Sequence, residues 1–213
     1  MDLRYPIGKF DFSRTVATDQ RPGLIADIRR VPEHLRTAVL GLDESQLDTE
    51  YRPEGWTVRQ VVHHLVDSHV NCYVRYRLAL TEDEPSIKGY DESAWAKLPD
   101  ARTAPVTLSL SFLAALHERW VLLLTAMTDD QWARRFRHSD LGPVRLDTIL
   151  ALYSWHGKHH TANITGLRER MGWYCLLYTS RQAHPEAHST GSMAGLPAEA
   201  TWAAIPGGIL ATT

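Results

Sequence analysis

The chain has 213 residues, 44% of them hydrophobic and 23% charged, a globular composition that accommodates one domain or one domain with a tail. This excludes disordered, collagenous and coiled-coil chains. Lys and Arg total 23 against 25 Asp and Glu, giving a net charge of -2. With no block of like charge there is no basic face for a phosphate backbone, so no nucleic-acid partner is expected.

Charged or polar residues break every apolar stretch before the roughly 18 uninterrupted apolar residues of a membrane span, VLLLTAM at 121–127 included. Asp2, Arg4, Lys9, Asp11, Arg14 and Asp19 leave no apolar core for a secretory signal within residues 1–20. The expectation is a soluble, cytoplasmic protein with no membrane association. Cys72 and Cys175 lie too far apart in sequence for a disulfide framework or a zinc ribbon. Cys72 reads as a small buried apolar residue. The eleven histidines are a high number for this length, and they cluster at 63–69 and 156–160.

In chain order, Leu24, Ile25, Ile28, Val31, Leu35, Val39 and Leu42 mark one apolar helical face within 19–42, with a kink or restart expected at Pro32. A second helix is predicted over about 58–80. Thr57 and Gln60 form its capping box, and Trp56 is placed to staple onto Val61. Its inward residues are Val58, Val61, Val62, Leu65, Cys72, Tyr76 and Leu80. Residues 82–105, with three prolines and a glycine, form a long crossover holding one short helix near Tyr90–Leu98. A third helix follows at about 107–127, with Leu113, Leu116, Trp120, Leu123 and Met127 on one side. A short polar connection and the Gly142–Pro143 break lead to a fourth helix, capped by Asp147 and ending near Met171–Gly172. No alternating strand pattern and no internal repeat is visible. The fold class is therefore all-α, a four-helix bundle with a long crossover between helices two and three, occupying residues 1–173. Residues 174–213 are rich in Ala, Gly, Pro, Thr and Ser without a helical stripe, and read as a poorly structured tail.

On the fourth helix Ile149, Leu152, Tyr153, His156, His160, Ile164, Leu167 and Met171 share one stripe. Two imidazoles at i and i+4 stand one turn apart on a single face and can grip one metal ion. Gly157 between them leaves room for a neighbouring helix or a ligand. A catalytic centre needs a third ligand and an open position, which VVHHLVDSH on the second helix can supply. Periodicity favours His69, on the Val62–Leu65–Cys72 line, yet a neighbouring helix can also meet the flank carrying His64. Spacing alone leaves His64 and His69 open.

The runs YPIG at 5–8, YRPEGWTVRQVVHHLVDSHVNCYVRYRLALTEDEP at 51–85, YDESAW at 90–95, LHERW at 116–120 and LYSWHGKHHTANI at 152–164 resemble the DinB/YfiT-like metal-dependent hydrolases. The resemblance runs in register from residue 1 to about 173. It implies a four-helix bundle, usually a homodimer, with one divalent metal ion per subunit, Zn²⁺ or Ni²⁺, bound by three histidines. Carried onto this chain, the ligands implied are His64, His156 and His160, which sets the wheel's preference for His69 aside. His63, His69 and His159 then become neighbours of the ligands or surface residues. Asp67, one turn after His64, is a candidate to orient its imidazole. His117 and Glu118, adjacent and not at ligand spacing, are assigned to the surface or an interface. His184 and His188 also stand at i, i+4, but Pro185 between them argues against a helical pair.

Three neutral imidazoles around Zn²⁺ leave a water whose pKa falls to about 7, and the ion polarises a bound carbonyl. Hydrolysis of a small-molecule substrate is the first expectation. No HExxH occurs, since Gly157, Lys158 and His159 stand between the pair, so the glutamate base of a zincin is missing and no general base is identified. The same open position could deprotonate a low-molecular-weight thiol such as bacillithiol, mycothiol or glutathione and run an S-transferase reaction. A third alternative is a non-catalytic metal-binding stress protein. GxGxxG, GxxxxGK and GxSxG are absent from the domain, which leaves dinucleotide, phosphate-loop and serine-nucleophile readings without support. The aromatic residues Tyr5, Trp56, Trp95 and Trp155 are core, dimer-surface or pocket-mouth candidates.

Overall fold

A computed structural model describes residues 2–173. Cys175, the His184–His188 pair and the whole of the expected tail lie outside the described residues. Four long helices, α1 (Arg21–Val39), α3 (Val58–Thr81), α6 (Val106–Ala126) and α8 (Leu146–Met171), form the bundle. Four short ones, α2 (Glu44–Leu47), α4 (Glu92–Trp95), α5 (Pro99–Thr103) and α7 (Asp129–Ala133), ride on the connections. α1 packs on α6 and α8, and α3 packs on the same two helices. Consecutive long helices α1 and α3, and α6 and α8, therefore occupy the diagonals of the bundle.

Local chemistry sets the helix ends. Thr57 accepts from the Gln60 backbone N–H at 3.2 Å while Gln60 Oε1 accepts from the Thr57 N–H at 2.9 Å, the reciprocal box that starts α3. Gly172 closes α8 at φ 67°, a left-handed conformation that costs a residue without Cβ little. Asp147 does not cap α8 as expected. Arg145 occupies the cap position, and Asp147 sits inside the first turn, where it accepts from the Thr148 N–H at 2.8 Å and pairs with Arg145.

At Pro32, where a kink or a restart was expected, α1 runs on without restarting, for a reason that lies on α6 and is described below. Two expectations need correction. The crossover between α3 and α6 carries two short helices and a strand instead of one helix. A three-stranded sheet is present: β1 (Ser86–Ile87) pairs parallel with β2 (Arg135–His138), which pairs antiparallel with β3 (Gly142–Arg145). Strands of two to four residues show too little alternation to read from sequence. They nonetheless bury Ile87, Phe136 and Val144 against the bundle.

α6 is the one described helix long and apolar enough to cross a membrane by length and composition. In the bundle it buries Leu110, Leu113, Trp120 and Leu124 while Leu108, Phe112 and Leu122 are exposed. Met171, expected inward, is also exposed, as the helix end projects past the core.

The apolar core has two parts. One gathers Tyr76, Trp120, Phe136 and Ile149, the other Leu35, Val62, Leu113 and Ile164. Along each long helix the change from one to the other falls between Ile28 and Val31, Val66 and Cys72, Leu113 and Leu116, and Tyr153 and Ile164. His69, His117, His156 and His160 lie at that level, so a layer of imidazoles crosses the middle of the bundle.

Candidate metal centre

α3 carries His64 and α8 carries His156 and His160, on adjacent helices. Packing against α1 holds α8 at this level: Ser154 Oγ donates to Asp27 at 2.8 Å, Lys158 pairs with the same carboxylate, and Gly157 lies against Val31. The structure brings the three imidazoles together, with one nitrogen from each lying within 4.8 Å of the others. His64 Nε2 and His156 Nε2 stand 3.3 Å apart. Two nitrogens each about 2.0–2.1 Å from a tetrahedral zinc are separated by about 3.3–3.4 Å, so this pair already has the spacing of two ligands on one ion. The donor set is all imidazole with no carboxylate, which suits zinc or nickel. Burial pushes His64 down to about 4 and holds His156 and His160 well below the usual imidazole value, with neighbouring imidazoles adding to the shift. All three rings are therefore neutral near pH 7 and offer lone pairs, as metal ligation demands. On this test the residues present fit a divalent ion.

The cluster opens on a cleft of about 600 Å³ whose wall includes His156, His159 and His160. Trp56 closes one side, its ring 4.6 Å from that of His64 and stacked at 6.3 Å on that of His160. Tyr5 and Trp155 also line this cleft, whereas Trp95 packs behind one of its lining residues, its ring 4.4 Å from that of Tyr90. Arg75, Tyr90 and Glu92 face the same space. Arg75 is buried yet has no hydrogen-bond or ion-pair partner among the described residues. Burial raises the Glu92 carboxyl above its ordinary value. Sequence reading passed over Tyr90 and Glu92 because the irregular crossover has no periodicity to point with, and over Arg75 because a charged residue on α3 reads as a solvated one.

The other histidines have separate tasks. His63 Nε2 donates to the Ala104 carbonyl at 3.1 Å and its Nδ1 faces Ser109 Oγ at 2.7 Å, tying α3 to the start of α6. His159 stacks on Trp155 at 4.5 Å. His69 is fully buried, with Nε2 3.2 Å from His156 Nδ1 and Nδ1 2.8 Å from His117 Nε2. His117 belongs to neither surface nor interface. It is 2% exposed, and its Nδ1 donates to the Ile28 carbonyl at 2.7 Å. The signal was present, since position 117 lies four residues after Leu113 and three before Trp120, on the inward stripe of α6. Asp67 makes no side-chain hydrogen bond to His64 among the described residues. Desolvation, with Asp100 nearby, raises its carboxyl to about 6. Cys72 is buried as expected, and burial drives its thiol far up, which makes it inert.

The DinB superfamily profile matches residues 27–164. The chain belongs to the DinB superfamily. This DinB-superfamily chain is 50% identical over 172 residues to a Bacillus cereus (strain AH820) protein named "Putative metal-dependent hydrolase", covering 81% of this chain and 99% of the relative. A Bacillus anthracis relative of the same name matches at the same identity and coverage. Among solved structures, YfiT from Bacillus subtilis, described as "a probable metal-dependent hydrolase with an unusual four-helix bundle topology", is 47% identical. That match covers 82% of this chain and all of YfiT, with a TM-score of 0.79. The bundle is thus shared with YfiT.

Proposed function

We propose that this chain is a metal-dependent hydrolase of small molecules in which His64, His156 and His160 hold one divalent ion, Zn²⁺ or Ni²⁺. The observation that carries the reading is the convergence of three neutral ring nitrogens within 4.8 Å at the wall of a substrate-sized cleft. A divalent ion bound there supplies a more acidic water and an electrophile for a carbonyl. The protein's residues do the rest. Trp56 and Tyr153 wall the histidines on either side, their rings 4.6 Å from His64 and 5.4 Å from His156, and restrict water around the reacting group. Arg75, a buried cation without a hydrogen-bond or ion-pair partner among the described residues, holds an anionic group of the substrate. If so, Arg75→Met raises KM for anionic esters more than for neutral ones.

The reading is tested by metal analysis of the purified full chain, followed by assay of generic esters and amides with and without low-molecular-weight thiols. Stoichiometric metal, lost in His156→Ala and His160→Ala, with turnover in water alone supports it. Metal retained in both variants overturns the ligand assignment. Turnover only after thiol addition overturns hydrolysis in favour of thiol transfer, and metal without turnover in either assay favours a binding protein.

A further inference from the structure

We infer that His69 and His117 are positioning residues that fix which nitrogen of His156 carries its proton, through a hydrogen-bond chain ending on the Ile28 carbonyl that Pro32 leaves open. The inference deepens the proposed function and rests on His156 being a ligand.

The chain starts with a backbone defect. In an α-helix the carbonyl of residue 28 accepts from the N–H of residue 32. Pro32 has no N–H, and it lies within α1. His117 reaches across from α6 and fills that place, Nδ1 to Ile28 O at 2.7 Å. This donor from another helix satisfies the carbonyl that the proline orphans, which is why α1 continues instead of restarting.

The direction of every later bond follows from that terminus. A carbonyl only accepts, so His117 carries its proton on Nδ1, and a neutral imidazole has just one. His117 Nε2 is then an acceptor, and His69 Nδ1, 2.8 Å away, donates to it. His69 Nε2 in turn accepts, and His156 Nδ1, 3.2 Å away, donates. The proton of His156 is held on Nδ1, and its Nε2 lone pair is directed at the cluster, 3.3 Å from His64 Nε2. His69 and His117 are 0% and 2% exposed, which disfavours the charged form of either ring. The chain takes one member from each long helix: His156 from α8, His69 from α3, His117 from α6 and Ile28 from α1. His160 has no such support, because its Nδ1 is buried without a hydrogen-bond partner among the described residues. Holding the His156 tautomer beforehand removes a cost from metal binding.

The test uses the full chain and needs no activity. In metal-free wild-type protein with ¹⁵N-labelled histidine, long-range ¹H–¹⁵N spectra are expected to show His117, His69 and His156 all protonated at Nδ1. His117→Leu removes the terminus, so His156 should redistribute toward the Nε2–H form, and Zn²⁺ affinity by chelator competition should fall about 10- to 100-fold. His117→Gln presents an amide N–H to Ile28 and an amide oxygen to His69, and is expected to restore both the tautomer and most of the affinity. A merely structural role for His117 predicts the same loss in Leu and Gln variants of equal melting temperature. A wild-type His156 protonated at Nε2, or a folded His117→Leu variant that binds Zn²⁺ as tightly as wild type, overturns the inference. The tautomer readout in metal-free protein is independent of the ligand assignment, which fails separately if His156→Ala keeps its metal.

Discussion

A Cβ built on Gly157 would fall far inside the ordinary van der Waals contact distance of Val31 Cγ2 and 3.1 Å from Val31 Cγ1. Gly157 follows His156 on α8, and Val31 lies on α1, so this contact sets the separation of the two helices at the level of the histidines. The room expected beside Gly157 is filled by a neighbouring helix, as one of the two readings of its position required. Gly157→Ala should overpack the contact and cost about 1–3 kcal/mol in urea unfolding. Because α8 must shift, Zn²⁺ affinity should fall with it. Wild-type stability and affinity together would show that the α1–α8 spacing is not set here.

His64→Ala and His69→Ala test the proposed division between a ligand and a residue that orients one. His64 offers a nitrogen to the cluster, whereas His69 contacts His156 through Nδ1 of that ring. His64→Ala should abolish stoichiometric metal with helicity preserved, as read by metal analysis and circular dichroism. His69→Ala should retain metal at reduced affinity, by about 10- to 100-fold. The reverse pattern would move the third ligand to His69.

Asp67 predicts a pH dependence opposite to that of a salt-bridged carboxylate. Its folded value of about 6 lies above the ordinary 3.8, because burial and Asp100 disfavour its charge. The folded state therefore holds the proton more tightly than the unfolded state. The side chain costs nothing below about pH 3.8, and its penalty grows between there and about pH 6 and is complete above. Asp67→Asn should accordingly match wild type in melting temperature near pH 4 and exceed it at pH 8. Equal melting temperatures at both would contradict the burial of this carboxyl.

Local and periodic features were legible in the sequence alone: the Thr57–Gln60 box, the Gly172 stop, the four long helices, and the alignment of His156 with His160 along α8. Each depends on neighbours within a turn or two, where sequence spacing is spatial spacing. The sheet was not legible, because strands of two to four residues acquire their pattern only by burying Ile87, Phe136 and Val144 against the bundle. Nor could spacing choose between His64 and His69, since both lie on α3 and the choice depends on which flank α8 meets. In the fold α3 lies beside α8 so that His64 falls with His156 and His160 in one cluster, while His69 lies between His156 and His117. The same packing gives Pro32 its meaning. Read in one dimension it is a helix breaker; in three dimensions its missing N–H leaves Ile28 O for His117, a residue 89 positions away in the chain. Such a hydrogen bond crosses between helices, and no periodicity within a single helix can announce it.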